Sequence, residues 1–304
     1  MGVVELATTV LTLLALVAVG WVLRATGALV AEDARPIHTI IIYVGLPALV
    51  FRSVHGAELG PELATIALVA WIAFVVSLVA AWALARALRL PRNIAGALIV
   101  FGALGNTGYI GYPVSQALLG ESGLVKAIFY DIFGTVGALL FVGVFIAARY
   151  GASGEQVPNP LREVLTFPAV IALAVAFAAR PLAIPSVVSD GLDALASIVV
   201  PLIMVSVGLS IKLQRVTSHK RALASMVAVK LGLSPLVALA VGPLLLAETD
   251  AVRLVVLEAG MPTMMLSIVF GTRFGLDTEF LASAVLVTTA LSVFTIPLMQ
   301  MLIV

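Results

Sequence analysis

Cysteine is absent from the sequence. Disulfides, thiolate metal sites and cysteine nucleophiles are therefore excluded. Charge is scarce, at 11% of 304 residues, against about a quarter in an ordinary soluble protein. The net charge of +1 comes without a basic tail or low-complexity tract, so nothing points to nucleic acid. No His-Glu-x-x-His, Gly-x-Ser-x-Gly or Gly-x4-Gly-Lys-Ser/Thr pattern occurs, which leaves no signature of a metalloprotease, a serine hydrolase or a nucleotide-driven pump. The histidines, His38, His55 and His219, fall near the ends of apolar runs, where interfacial positions suit them better than catalysis. An intramembrane enzyme is thus a weak alternative. A passive channel is weak too, because no polar stripe follows several helices.

What the chain has instead is apolar residue, 62% of the total where about half is usual. Runs beyond about 18 apolar residues recur along its length, the pattern of membrane spans. At about 20 residues per crossing, spans fall at roughly 4–24, 36–54, 63–86, 93–119, 123–149, 161–180, 187–210, 220–246, 251–272 and 278–303. The first run lacks a basic leader and a small-residue cleavage site, so it reads as a retained span. The fold class expected is an all-α membrane protein of ten helices. Residues 151–160 (GASGEQVPNP) read as a linker between halves 1–150 and 161–304.

The halves match in outline. Each has five spans, and Pro47 and Pro201 occupy the second span of each, 154 positions apart. Ala25 and Ala179 share that offset, and Gly120 and Gly275 lie 155 apart. An odd span count per half requires opposite insertion, the inverted-repeat plan of many secondary transporters. Basic residues set the orientation. Arg24, Arg35, Arg86, Arg89, Arg92, Arg149, Arg162, Lys212, Arg215, Lys220, Arg221 and Arg273 fall on one side, against Arg52, Lys126, Arg180 and Arg253 on the other. The richer side should be cytoplasmic and both termini outside, in a cell (inner) membrane.

Spans four and nine are interrupted. Span four carries Gly102, Gly105, Gly108 and Gly111 at every third residue, then Pro113; span nine carries Gly260 and Pro262 near its middle. Proline removes an intrahelical donor, and paired interrupted spans in corresponding positions point to a transporter site. Half-helix N-termini there suit an anion. Ionisable residues deep in spans are functional candidates by default: Asp131 in span five, Lys230 in span eight and Glu258 in span nine. Their structural alternatives are an Asp131–Lys230 pair and a Glu258 that snorkels to the surface. Asn106 is the one asparagine placed within a membrane core.

The stretches GWVLRATGALVAEDARPIHTIIIYVGLPALVF, GNTGYIGYPVSQALLGESGL and FYDIFGT resemble the auxin efflux carrier family, which includes plant PIN auxin exporters and bacterial permeases for dicarboxylates such as malonate and malate. LEAGMPTMM is similar to the ninth-span motif of the bile acid:sodium symporters. The resemblance covers nearly the whole chain. It implies two inverted five-helix repeats with helices 4 and 9 crossing at their breaks. It implies a scaffold from helices 1, 2, 6 and 7, a moving core from helices 3–5 and 8–10, elevator-type transport of a small organic anion, and a homodimer. The long cytosolic loop of plant members is absent, which favours a bacterial or archaeal carrier and a carboxylate other than auxin. Sodium-coupled transport of larger, bile-acid-like anions is the alternative.

By the same resemblance Asn106 and Thr107 lie at the fourth-span crossing where substrate binds, with Met261, Pro262 and Thr263 opposite; Tyr109 and Gln116 could line the site or pack. Glu258 matches a carboxylate that helps hold sodium, and Asp131 and Thr135, four apart on one helix face, match a span that supplies polar ligands. Asn106, Thr135 and Glu258 offer the hard oxygens Na⁺ prefers. A carboxylate in low dielectric equally suits a proton. Both coupling ions stand as expectations, with Asp131, Thr135, Glu258 and Lys230 as the coupling residues. No other cofactor is implied.

Overall fold

A computed structural model describes residues 3–152, 159–210 and 219–302. Residues 153–158 of the expected linker, and Lys212 and Arg215 of the charge count, lie outside the described residues.

Among the described residues the protein is helical, with one isolated antiparallel bridge, Gly105 to Thr263, and no strand. In chain order the helices are α1 (Val3–Ala25), α2 (Ala34–His55), α3 (Glu62–Ala87), α4 (Arg92–Phe101), α5 (Thr107–Tyr150), α6 (Pro160–Thr166), α7 (Pro168–Ala179), α8 (Ser186–Leu209), α9 (Lys220–Leu245), α10 (Thr249–Ala259), α11 (Ser267–Phe274) and α12 (Thr278–Met301). Helix is what lipid demands, since every backbone group must be satisfied within the segment.

Among the described residues, six helices (α2, α3, α5, α8, α9 and α12) are long and apolar enough to cross a membrane by themselves. Ten spans were expected; of the other four, α1 counts here only over Ala15–Ala25, and three have local causes. Expected spans four and nine are cut, into α4 plus the start of α5 and into α10 plus α11. Span six is shortened by Pro168, which opens the 12-residue α7. The 44 residues of α5 would extend about 66 Å as one helix, twice the hydrocarbon core of about 30 Å. Gly120 interrupts it at φ 69°, a conformation open to glycine at little cost. Gly275, its expected counterpart in the second half, also has positive φ, 70°, and caps the end of α11.

By contact, the chain divides into two units, each drawing on both halves of the sequence: residues 1–59, 112–125 and 165–213, and residues 60–111, 126–164 and 214–304. In the first unit, α1 runs against the end of α8. Gly20 meets the Val205 backbone there and Gly208 the Val17 backbone, so neither position has room for a Cβ. Lipid tails are as apolar as leucine, so van der Waals packing rather than water exclusion holds such helices, and small residues permit it. The Arg180 guanidinium donates to the Val54 carbonyl at 3.1 Å, and the Arg52 guanidinium pairs with Asp193 and Glu121. The second unit is built from α3, α4, α9, α10, α11 and α12 with the two ends of α5. Its packing is close: Gly134 abuts Ala70, the Trp71 indole donates to the Phe133 carbonyl at 2.9 Å, and Leu98, Phe101, Leu254, Val255 and Phe280 are buried.

Candidate functional site

Both helix breaks belong to the second unit. After Phe101 the chain leaves the helix, and after Asn106 it resumes as a π-helical turn, Thr107–Gly111, with Pro113 in the first turn of the α-helix that follows. After Ala259 the second break begins at Gly260, whose N–H still reaches the Val256 carbonyl at 2.9 Å. An interrupted helix leaves donors and acceptors that water cannot reach. Here the breaks serve each other: Asn106 N–H donates to the Pro262 carbonyl at 2.7 Å, and Met264 N–H to the Leu104 carbonyl at 3.4 Å. Thr263 N–H goes to Thr288 Oγ1 at 3.0 Å. Met261 is fully buried, and its carbonyl faces Gly105. Tyr109 is buried in the π turn.

Three π-helical turns carry the polar residues: Thr107–Gly111, Tyr130–Val136 within α5, and Ala228–Leu233 within α9. Such turns bulge the helix and recur at functional sites. The first holds Thr107, whose hydroxyl donates to the Asp131 carboxylate at 2.5 Å. The second holds Asp131 and Thr135. The third holds Lys230, which donates from Nζ to the Ala259 carbonyl at 2.8 Å and to Ser234 Oγ at 3.3 Å. Gly108 leaves room for Asp131, and Gly105 for the end of Lys230. The Glu258 side chain is fully buried with its carboxylate against Gly111. It borders the same small cavity as Lys230.

Thr107, Tyr130, Thr135, Lys230, Ser234 and Glu258 supply the polar lining of one small cavity. Its volume of about 10 Å³ is about the space of one water. Of the expected cation ligands, Thr135 and Glu258 meet there, whereas Asn106 and Asp131 do not line it. Of the buried donors without a hydrogen-bond partner among the described residues, three lie at the breaks: Asn106 Nδ2, Thr263 Oγ1 and Ser267 Oγ. They flank the N-terminal ends of α5 and α11, where the helix macrodipole is positive. The C-terminal end of α10, where it is negative, carries the Lys230 ammonium.

Residues 6–300 match the family described as membrane transport protein. The chain belongs to that family. Relatives include an "Uncharacterized transporter" of Methanothermobacter thermautotrophicus, 32% identical with 95% of this chain and 96% of the relative covered. Another, from Methanocaldococcus jannaschii and also named an uncharacterized transporter, is 30% identical over the same shares. A Rhizobium meliloti protein named "Putative malonate transporter" is 26% identical over 86% of this chain and 84% of its own. The resemblance to auxin efflux carriers is thereby borne out at the level of family. This protein is a membrane transporter with several apolar membrane helices.

Some of this transporter's buried arrangement carried no signal in the sequence. Thr288 is an ordinary threonine in an apolar helix, yet it receives the Thr263 N–H. Tyr130 lines the cavity; it lies in the FYDIFGT stretch but was not singled out there. Ser234 could have been found, since it follows Lys230 by four positions and so shares its helix face. Gly111 was visible in the glycine series, but not its role of admitting the Glu258 carboxylate.

Proposed function

We propose that this transporter is a secondary carrier of small organic anions, with the substrate held at the two helix breaks. The observation that carries the reading is the pairing of those breaks, Asn106 N–H on the Pro262 carbonyl at 2.7 Å, beside three buried donors left over for a ligand. Donors at half-helix N-termini suit a carboxylate. Asn106, Thr107, Tyr109, Met261, Pro262 and Thr263 are the proposed substrate contacts, and Gly105, Gly108, Pro113 and Gly260 the residues that open the helices. The malonate named in one relative fits that chemistry.

The ten-helix, inverted-repeat reading belongs to the same proposal. The interruptions within α5 and between α10 and α11, with positive φ at both Gly120 and Gly275, support it. The two contact units support a scaffold from helices 1, 2, 6 and 7 and a transport core from the rest, moving as an elevator. Both termini outside, an inner-membrane location and a homodimer complete the reading.

The test is uptake of labelled malonate, and of a panel of mono- and dicarboxylates, by proteoliposomes under imposed ion gradients. Asn106→Ala should lower uptake at least 10-fold, since it removes a binding donor worth more than about 1.4 kcal/mol. Absence of carboxylate flux under any gradient, together with unchanged ligand binding in Asn106→Ala, would sink the proposal.

A further inference from the structure

We infer that the Lys230 ammonium occupies the coupling-cation position beside Glu258, so that this carrier works without Na⁺. The inference rests on reading the paired breaks as the transport site, and it names which ion that site refuses.

A sodium site at a broken helix is built from unwound carbonyls, the C-terminal end of a half-helix and nearby hard oxygens. This chain has that donor set: the Ala259 carbonyl at the end of α10, Ser234 Oγ and the Glu258 carboxylate. Two of the three are already taken as hydrogen-bond acceptors by Lys230 Nζ, at 2.8 and 3.3 Å, and the third lines the same cavity as Lys230. Lys230 is only 2% exposed, so its Nζ has no access to bulk water and depends on these oxygens. Its position is prepared. A Cβ on Gly105 would come within 3.0 Å of Lys230 Cε and 3.2 Å of Nζ, and the π turn at Ala228–Leu233 carries it.

The remaining cavity, about 10 Å³, has the room of one water. An ion entering it would have to displace Lys230 Nζ from the Ala259 carbonyl and Ser234 Oγ. The other carboxylate nearby, Asp131, is turned to the Thr107 hydroxyl and does not line the cavity. Thr135 and Glu258, expected as sodium ligands, therefore line a space whose cation is covalently attached to the chain.

The experiment is thermal unfolding of the purified full-length protein in detergent, in sodium, potassium or choline chloride at equal ionic strength. The wild type should melt at the same temperature in all three. Lys230→Met should melt lower and recover specifically in Na⁺, by about 5 °C, as the ion binds where the ammonium was. Lys230→Met/Glu258→Gln, lacking both charges, should not respond to Na⁺. A sodium-specific shift in the wild type overturns the inference, as does a folded Lys230→Met indifferent to Na⁺. If the variants do not fold, the wild-type comparison decides alone. The melt needs no transported substrate. A wild type that ignores Na⁺ and also moves no carboxylate refutes the proposed function but not this inference. One that moves carboxylate and is stabilised by Na⁺ does the reverse.

Discussion

Gly111 turns its Cα to the carboxylate of Glu258, and a Cβ at that position would overlap the carboxylate oxygens. The contact is a requirement on both residues. Glu258 is fully buried and cannot swing into solvent to make room. Gly111→Ala should destabilise the protein by about 1–3 kcal/mol through overpacking. Gly232→Ala, in the neighbouring π turn, meets nothing within 4 Å and should leave the melting temperature unchanged or higher. Equal effects from the two substitutions in a thermal melt would count against the contact.

Thr107 supplies the Asp131 carboxylate with a short hydrogen bond, and both side chains are buried. Thr107→Val keeps the shape and removes the donor. The cost expected is about 1.5–3 kcal/mol, as for a hydrogen bond to a charged group. Thr107→Ser keeps the hydroxyl and should lie close to wild type. Melting temperatures of the two variants, compared with their malonate uptake, separate a stability role from one in transport.

Where α1 meets α8, the glycines Gly20 and Gly208 stand against backbone rather than side chains. Backbone yields less readily than a flexible side chain, so Gly208→Ile should cost more than the usual overpacking range of about 1–3 kcal/mol or split the helix pair. Gly191→Ala, earlier on α8 with nothing within 4 Å, should stabilise by about 0.4–1 kcal/mol. Detergent stability of the purified variants tests both directions.

Outside the membrane segments, Glu248 accepts a hydrogen bond from the Lys126 ammonium at 2.8 Å. That bond, with the charge of the same ammonium, holds its carboxyl below the usual carboxylate range. A depressed folded value means the stabilisation is present above the ordinary pKa of about 4.3. It is lost as pH falls through the folded value. Glu248 is well exposed, so the effect should be small and weaken in salt. Melting curves between about pH 3 and 6 should show a slightly shallower acid slope in Glu248→Gln. An identical slope would mean that the pair contributes nothing.

The sequence by itself determined the class of the protein and the location of its irregularities. Apolar runs, the glycine series from Gly102 to Gly111, and the Gly260–Pro262 step are local properties, and a helix ends where its own residues cannot continue it. Asp131, Lys230 and Glu258 stood out because a charge in an apolar run is costly wherever it points. Only tertiary structure decided their partners. Thr107 finds Asp131 24 positions away, and Lys230 finds the Ala259 carbonyl 29 positions away. Such choices depend on which helices pack and on π turns that rotate each side chain off its regular face. Spacing in a sequence measures distance along one helix. It carries no measure of distance between two helices, and so it could nominate a sodium site at Glu258 but not see the lysine already there.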